Sequence, residues 1–423
     1  MSVVIFHTTV APPDQQAARA LLEAGQLERF VTTVCDDPES LVQRSVTALG
    51  RLAGRDMAPR FKRRSVTEVP RESVRTHPWG EYLRLAVGSA DRDGRLTDFV
   101  WERTELAFDR SVARGLHPGL SGVYGYEHSS LFTFERARAL GLRIAYEMPA
   151  PESRYSQRII DAELEKFPEI RTAYHGYTAK REARRISRRM AEWEIADVVI
   201  AASNYTKRSF ASAGLDVTKV RIVPLGAPPV PPADQMGDGG AASGDKPTFL
   251  WAGTFGIRKG AHLLLDAWRT GSFGRRARLK VYGAVTLPER ALRPLPDGVE
   301  LCGAVSRAEL MAQYRGSDAL IFPTLSDGWG MVATEAWSRG LPVIMTEAAG
   351  ACDLLRDREN GLLIRAGDSA AISEALEWCL AHPAELRSMR QASALTASGW
   401  QWADYRRLLA ETLRGANLFG PVS

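Results

Sequence analysis

Two adjacent cations, Arg258 and Lys259, stand between a glycine-containing loop and the start of a helix pattern. The segment AGTFGIRKGAHLLLDAW, residues 252–268, runs from a buried-strand pattern through Gly253 and Gly256 into that amphipathic helix. Small residues let a ligand approach the backbone, the first N–H groups of a helix are unpaired, and the two cations add full positive charge. The segment therefore favours an anion such as phosphate, although a tight turn with solvated basic side chains is the alternative. It lacks the glycine spacing of the loops that indicate dehydrogenases and ATPases.

Two carboxylates eight residues apart, Asp327 and Glu335, lie in a second segment with the same order of strand, loop and helix. In IFPTLSDGWGMVATEAWSRGLPVIMT, residues 321–346, Asp327 is in the loop and Glu335 is about one turn inside the helix. Both can face one ligand, because ionised acids accept hydrogen bonds from sugar hydroxyls or a ribose diol. A single acid that interacts with the helix dipole is the alternative, but it leaves the loop acid unexplained. The backbone N–H groups expected to meet a phosphate belong to Gly330, Met331 and Val332.

Short apolar runs alternate with helical patterns along the chain, and this alternation predicts the strands and helices that position these residues. It is typical of parallel sheets with crossover helices. Residues 225–247 are rich in Pro, Gly, Ala and Ser, which indicates a linker between two doubly wound α/β domains. Residues 40–100 are Arg-rich and predict only helices and loops. The predicted strands are residues 3–6, 29–34, 121–126, 142–148 and 197–203 before the linker, and 248–253, 278–283, 299–303, 319–323 and 341–346 after it.

The composition argues against several classes of protein. A chain of 423 residues predicts two or three domains, and 45% hydrophobic with 25% charged residues fits neither disorder nor a membrane-spanning bundle. A formal net charge of +5 is too small to indicate a nucleic-acid binder. The first residues lack a secretory pattern, which predicts a cytoplasmic protein. The four cysteines are widely spaced, which argues against a disulfide framework or a zinc site: Cys35, Cys302, Cys352 and Cys379.

Three segments together resemble the C-terminal half of the family 4 retaining glycosyltransferases, which have the GT-B fold. They are the glycine loop with its RKG sequence, SDGWGMVATEAWSRGLPVI, and GACDLLRDRENGLLI at residues 350–364. The resemblance covers about residues 248–390. It implies an acceptor-binding Rossmann-like domain at 1–226, a donor-binding domain at 247–400, and a C-terminal helix in 401–423 that packs back on the first domain.

The resemblance also implies roles for the residues of the two segments. Asp327 would contact the donor sugar, Glu335 the ribose, and Arg258 with Lys259 the pyrophosphate, without a metal or another cofactor. The sequence departs from the usual pattern at two positions, where Asp327 replaces Glu and Thr254 replaces an Arg found in many members. The remaining residues implied for the donor site are Gly253, Thr254, Gly256, Gly330, Met331 and Val332.

The N-terminal half resembles the family less closely. The loop after the first strand, HTTVAPP, is a candidate acceptor site that lacks the usual glycines. The segment VYGYEHSSLF places Tyr126 near the position of a usual histidine, so that Glu127 and His128 are alternative candidates for the residue beside the reacting carbon. A DRD sequence at residues 91–93 resembles a metal-binding motif of another fold, but its charged context favours a solvated turn.

The implied activity is retaining transfer of a sugar from a nucleoside diphosphate sugar to a glycan, lipid-linked or other acceptor, as in synthesis of bacterial surface glycans. A non-catalytic nucleotide-sugar-binding subunit and a GT-B epimerase or phosphorylase are the alternatives. The sequence does not predict a nucleic-acid partner.

A basic amphipathic helix is predicted at residues 177–197. Its arginines have the spacing of one helical face, which indicates either a solvated surface or a site that contacts an anionic membrane. These arginines are Arg181, Arg184, Arg185, Arg188 and Arg189.

Overall fold

The computed structural model describes residues 2–52, 58–88, 91, 94–232, 236 and 246–419. Within these ranges, two parallel β-sheets are each flanked by helices, which confirms the predicted class of two doubly wound α/β domains. Part of the predicted linker lies outside the described residues, as do Arg92 and Asp93 of the DRD sequence.

Seven parallel strands form the first sheet in this part of the chain: β1 (Ser2–Phe6), β2 (Leu27–Thr32), β3 (Val74–Thr76), β4 (Leu120–Tyr126), β5 (Arg143–Met148), β6 (Val198–Ala201) and β7 (Val220–Ile222). Their order is β3-β2-β1-β4-β5-β6-β7. The order reverses between β1 and β4, and such a switch point opens a crevice at the carboxyl ends of the strands, where ligands bind. Helices on both faces explain why Val3, Ile5 and Phe6 are fully buried.

The helices of the first domain connect these strands and include an insert of three helices between β2 and α5. They are α1 (Pro12–Glu23), α2 (Leu41–Leu52), α3 (Ala58–Lys62), α4 (Trp79–Gly88), α5 (Arg95–Arg114), α6 (Leu131–Ala139), α7 (Ser153–Lys166), α8 (Ala173–Ile195) and α9 (Asn204–Ser212). In the described part of the chain, no helix is both long and apolar enough to cross a membrane.

The second sheet has six parallel strands among the described residues: β8 (Thr248–Ala252), β9 (Arg278–Tyr282), β10 (Val299–Gly303), β11 (Ala319–Phe322), β12 (Val343–Thr346) and β13 (Gly361–Ile364). The order is β10-β9-β8-β11-β12-β13, with a second switch point between β8 and β11. The accompanying helices are α10 (Ala261–Thr270), α11 (Glu289–Leu292), α12 (Arg307–Arg315), α13 (Met331–Trp337), α14 (Ser369–Ala381), α15 (Pro383–Ser398) and α16 (Trp402–Gly415).

The last helix, α16, packs on α1 of the first domain. Arg406 donates hydrogen bonds to Gln16 at 2.6 Å and to Glu23 at 2.8 Å. Tyr405 and Leu409 of α16 are fully buried. The end of the chain therefore contacts the domain in which the chain begins.

The arginines of α8 do not form the solvent-facing stripe that their spacing predicts. Arg184 is 72% exposed, but Arg185, Arg188 and Arg189 have exposed fractions of 6%, 10% and 16%. The physical reason is a set of acids on packed neighbours, chiefly Asp98, Glu102 and Asp109 of α5 and Glu127 after β4. The prediction of an exposed five-arginine face is therefore wrong, and it no longer supports membrane contact.

Candidate active site

The loop between β8 and α10 carries the two cations predicted to bind an anion. Gly253 is exposed and has a φ of +101°, a conformation that glycine adopts without strain. The Arg258 guanidinium donates a 2.7 Å hydrogen bond to the Ser326 carbonyl and remains 51% exposed. The Lys259 ammonium forms an ion pair with the Asp327 carboxylate. The cations of the first segment therefore contact the loop of the second.

Glycine at position 260 allows the start of α10 to lie against the end of β11. Gly260 has a φ of +76°, and a Cβ atom there would lie 2.0 Å from the Pro323 carbonyl oxygen. The Leu325 N–H donates to the Arg258 carbonyl at 2.9 Å. Because β8 and β11 flank the switch point, these contacts join the two loops at the edge where a ligand is expected.

Asp327 is the residue at which the two segments meet. Its Oδ1 accepts a hydrogen bond from the Trp329 N–H at 3.2 Å, and its Oδ2 faces Lys259 and lies 3.6 Å from Arg258. The Asp327 N–H donates to the Ala348 carbonyl at 2.9 Å, so the backbone of the loop is held as well. Two cations and one carboxylate leave a net positive charge, which favours an anionic ligand.

Glu335 lies on α13, just beyond the loop that carries Asp327. Its Oε1 forms a 3.1 Å ion pair with Arg307, and its Oε2 accepts a 3.4 Å hydrogen bond from the Tyr314 hydroxyl. Burial raises the pKa of Glu335 above its ordinary value, and Arg307 opposes that shift. The carboxylate is thus oriented by two side chains of α12, and a diol that bound here would meet a fixed acceptor.

The other predicted donor-site residues lie on these two loops. Thr254 is exposed, whereas Gly256 is buried so closely that a Cβ atom would lie 2.2 Å from the Thr286 hydroxyl. Gly330 begins α13 with a φ of +92°, and Met331 and Val332 of its first turn are partly buried. The structure brings the predicted residues onto adjoining loops, and their contacts with a donor stay a prediction.

The loop of Asp327 also contacts the first domain. We call these contacts of Ser326 and Gly328 with the first domain the domain seam. A Cβ atom on Gly328 would lie 1.9 Å from the Pro149 carbonyl oxygen, which follows β5. The Gly328 carbonyl accepts hydrogen bonds from Ser203 at 2.8 Å and Thr206 at 3.2 Å. Ser326 contacts the Ser156 hydroxyl at 2.9 Å. The candidate donor loop is therefore positioned by both domains.

Glu127 and His128 are placed inside the first domain, where local packing accounts for them. Glu127 forms a 2.7 Å ion pair with Arg189. The His128 ring is 3% exposed and stacks on Trp101 with centroids 5.0 Å apart. Burial lowers the pKa of His128 to about 3, with a further contribution from nearby arginines including Arg189, so the imidazole is neutral. The role predicted for these two residues beside the reacting carbon stays a prediction.

His7 is a competing candidate at the same edge of the sheet, and it follows β1 directly. Its ring stacks on Tyr126 at the end of β4, with centroids 4.1 Å apart and planes 12° from parallel. Its Nδ1 lies 3.0 Å from Asp14, and its side chain is 19% exposed. Burial opposes protonation, but Asp14 outweighs it and raises the pKa of His7 above its ordinary value. A histidine held through Nδ1 keeps Nε2 for a ligand.

Sequence reasoning missed Arg307, Tyr314 and the pairing of His7 with Asp14. The interval of seven residues between His7 and Asp14 spans a strand end and a helix start and matches no motif. The partners of Glu335 come from α12, and no local pattern connects α12 to α13. Among the residues that the structure describes, three or more His, Cys, Asp or Glu side chains nowhere cluster as a metal site requires. Independence from metal stays a prediction.

Comparison with known proteins relates the second domain to a known family. Residues 246–382 match the family described as "Glycosyl transferases group 1". A D-inositol 3-phosphate glycosyltransferase from Xylanimonas cellulosilytica is 29% identical over 217 residues, which is 45% of this chain and 50% of that protein. The chain thus spans about half the length of this relative. The resemblance to glycosyltransferases inferred from the sequence is confirmed.

Solved structures extend the likeness in fold to the whole chain. Sucrose-phosphate synthase from Thermosynechococcus elongatus has a TM-score of 0.65 at 18% identity, covering 98% of this chain and 99% of that one. HepE from Anabaena, in complex with UDP-glucose, has a TM-score of 0.61 at 14% identity, covering 98% and 100%. At these identities the likeness concerns the fold alone, and the fold is GT-B.

Proposed function

Because residues 246–382 are those of a group 1 glycosyltransferase on a GT-B fold, we propose that this protein transfers a sugar from a nucleoside diphosphate sugar to an acceptor hydroxyl. The transfer retains the anomeric configuration. The acceptor is a glycan, a lipid-linked sugar or another hydroxyl compound, and the reaction takes place in the cytoplasm as a step in the synthesis of surface glycans. HepE has been solved in complex with UDP-glucose, which supports a nucleotide sugar as the donor class here.

The meeting of Arg258, Lys259 and Asp327 at the domain seam is the observation that carries this proposal. A departing nucleoside diphosphate is an anion, and fixed cations aimed at its charge lower the barrier because they need no reorganisation during the reaction. Arg258 and Lys259 would hold the diphosphate.

Two carboxylates then account for recognition of the rest of the donor. Asp327 lies beside the two cations that would hold the diphosphate, and it would contact the sugar. Glu335, which is oriented by Arg307 and Tyr314, would accept hydrogen bonds from the ribose. The backbone around Gly330 would meet the phosphates. No step of this mechanism requires a metal, since the cations on the chain supply the positive charge.

The test replaces each cation in turn and measures both the release of nucleoside diphosphate and the transfer of the sugar. We expect Lys259→Ala and Arg258→Ala to lower the rate of diphosphate release by about 10²-fold to 10³-fold, because each removes a preorganised contact with the leaving group. Arg293→Ala is the control, since Arg293 is 76% exposed and pairs with the exposed Glu289. A panel of nucleoside diphosphate sugars, with thermal shift and released diphosphate as readouts, identifies the donor.

The same assay separates the alternatives. A non-catalytic subunit binds the nucleoside diphosphate but neither releases diphosphate nor transfers sugar. An epimerase changes the sugar nucleotide without an added acceptor, and a phosphorylase transfers the sugar to added inorganic phosphate in place of an acceptor hydroxyl. Full activity of both Lys259→Ala and Arg258→Ala would show that the phosphate assignment is wrong.

A further inference from the structure

We propose that Glu163 of the first domain is a positioning residue for donor binding, and that it acts through His262 of the second domain. The part that it positions is the turn Ile257–Lys259, whose two cations are proposed to hold the diphosphate. This inference rests on the proposed transfer function and adds a residue of the other domain to its donor site. Glu163 lies in the last turn of α7, and His262 lies in the first turn of α10.

The contact between Glu163 and His262 is direct and buried. The His262 Nε2 lies 2.9 Å from Glu163 Oε2, and both side chains are 4% exposed. The other carboxylate oxygen accepts a 2.8 Å hydrogen bond from Lys166. Burial raises the pKa of Glu163, but the hydrogen bonds from His262 and Lys166 outweigh it and lower the pKa below its ordinary value. Because an ionised carboxylate only accepts hydrogen bonds, Nε2 is the donor of this pair.

One face of α7 contacts both loops of the proposed donor site. Ser156 and Glu163 are seven residues apart, which places them on the same side of the helix. At the domain seam, the Ser156 hydroxyl lies 2.9 Å from the hydroxyl of Ser326, in the loop that carries Asp327. Helix α7 also packs against the Ile257–Lys259 turn. A helix of the first domain is therefore placed to set the geometry of the donor site.

The end of α7 and the 3-10 turn after it are anchored in the second domain. Leu164 and Ile170 are buried in one apolar cluster with Ile257, the residue that begins the cationic turn. Arg290 of α11 donates a 2.6 Å hydrogen bond to the Glu169 carbonyl. These contacts hold the end of α7 on the second domain, so the carboxylate that it carries has a fixed position.

The partner of this carboxylate follows the two cations closely. His262 is three residues beyond Lys259, and Gly260 both ends the cationic turn and begins α10. The turn and the helix are thus continuous, and a rotation of α10 about its axis would move the cations. A hydrogen bond from the first turn of α10 to a fixed carboxylate opposes that rotation.

A buried polar pair suits this role better than an apolar contact. Apolar side chains of similar volume would stabilise the fold at least as well, because burial of charged groups costs hydration. A hydrogen bond also depends on direction, so it selects one orientation of the two elements. The oxygens of Glu163 are already paired with His262 and Lys166, which leaves the carboxylate a positioning role and not a contact with the donor.

The experiment separates the hydrogen bond from the other effects of the side chain. Glu163→Ala removes the acceptor, whereas Glu163→Gln keeps an amide oxygen that can accept from Nε2. We expect Glu163→Ala to raise the donor KM by about 10-fold to 10²-fold, because a misplacement of about 1 Å can have an effect of this order. The acceptor KM should stay unchanged, and Glu163→Gln should recover most of the lost donor affinity.

Glu165→Ala is the matched control, since Glu165 is exposed and lies two residues away on the same helix. Thermal unfolding is measured for every variant. A merely structural role of Glu163 would lower the unfolding temperature of Glu163→Ala and leave its donor KM at the wild-type value, and this result overturns the proposal. Equal donor KM values for Glu163→Ala and Glu163→Gln overturn it as well.

The same comparison is made from the second domain, which keeps the test decisive if Glu163→Ala does not fold. His262→Ala removes the donor of the hydrogen bond, and His262→Gln supplies an amide N–H in its place. We expect His262→Ala to raise the donor KM as Glu163→Ala does, and His262→Gln to recover most of it. A donor KM in His262→Ala equal to that of wild type overturns the proposal.

Nucleotide binding is also measured without turnover, by isothermal titration calorimetry with UDP and with GDP. If wild type transfers no sugar, the transfer function fails, yet weaker nucleotide binding by His262→Ala with recovery in His262→Gln still supports the positioning role. Equal binding by wild type and His262→Ala overturns that role whether or not sugar is transferred. Absence of binding of either nucleotide to wild type overturns both proposals.

Discussion

Asp327 illustrates how one methylene group can set specificity at the scale of a residue. The carboxylate is fixed by Lys259 and by the Trp329 N–H, so the longer chain of Asp327→Glu would displace it within the pocket that we propose for the donor sugar. One methylene in a binding pocket changes discrimination by about 10-fold to 200-fold. We therefore expect the ratio of kcat/KM between two donor sugars to change at least tenfold.

The control for this prediction is Asp357→Glu, which makes the same change at an exposed position just before a turn. An unchanged donor profile in Asp327→Glu and Asp327→Ala would remove Asp327 from the sugar pocket.

Substitution of His7 and substitution of Glu127 or His128 are expected to affect sugar transfer differently. His7 keeps Nε2 and a 19% exposed side chain, whereas His128 is neutral and packed against Trp101. We expect His7→Ala to lower kcat for transfer by about 10²-fold, the lower range of a lost proton-transfer or hydrogen-bonding group. The donor KM should change little.

Glu127→Gln is the comparison, and it should mainly reduce stability because Glu127 pairs with Arg189. Asp14→Asn should lower the pKa of His7 and shift the pH profile of kcat downward. An unchanged kcat in His7→Ala would contradict this prediction and would favour Glu127 and His128 as the residues beside the reacting carbon.

Glu147 provides a pH-dependent prediction. It is buried on β5 and accepts a 2.6 Å hydrogen bond from the Tyr124 hydroxyl. Burial, with a smaller contribution from the like charge of Asp14, raises the pKa of Glu147 from about 4.5 to about 7. Ionisation is thus less favourable in the folded chain, so folding stability is highest below the unfolded pKa and falls as pH rises toward 7. We expect Glu147→Gln to gain stability over wild type between pH 5 and pH 8, by at most about 3 kcal/mol. Urea unfolding at both pH values measures the difference, and a pH-independent difference contradicts the assignment.

At the scale of elements, α5 and α8 are joined by buried ion pairs. Arg185 donates to Asp98 at 2.6 Å and to Glu102 at 3.3 Å, and all three side chains are buried. Removal of Arg185 leaves the acids with the longer contacts to Arg181 and Arg184. Breaking a buried ion pair costs about 3–5 kcal/mol. We expect Arg185→Met to lower the free energy of unfolding by this amount.

Arg184→Met is the matched control, because Arg184 is adjacent in the sequence and 72% exposed. We expect this substitution to change the free energy of unfolding by less than about 0.5 kcal/mol. Equal effects of the two substitutions would show that the α5–α8 pairs do not stabilise the fold.

The same helices show where sequence reasoning succeeds and where it stops. The helical period identified α8, and strand, loop and helix patterns located both donor-side segments, because these are local signals. The direction of the arginines depends on acids such as Asp98, which is 87 residues from Arg185 in the chain. Likewise, His7 stacks on Tyr126 because β4, which is distant in sequence, pairs with β1 on the side opposite β2. Strands β3 and β7, of three residues each, are too short to give a pattern.

At the scale of the whole molecule, Gly328 is the residue of the domain seam at which the two backbones approach most closely. A Cβ atom on Gly328 would lie 1.9 Å from the backbone oxygen of Pro149, which cannot rotate away as a side chain does. Gly328→Ala must therefore displace the Asp327 loop from the first domain. A misplacement of about 1 Å can reduce a rate by about 10²-fold, and we expect a loss of that order in transfer while each domain remains folded.

Gly316→Ala is the matched control, because its added Cβ atom would have no neighbour closer than 4.0 Å. Far-UV circular dichroism checks that both variants are folded, and small-angle X-ray scattering measures the separation of the domains. We expect Gly328→Ala to be more open than wild type and Gly316→Ala to match it. Wild-type transfer by Gly328→Ala with an unchanged scattering profile would show that the reaction does not depend on this contact, and that the donor loop is held by its own domain alone.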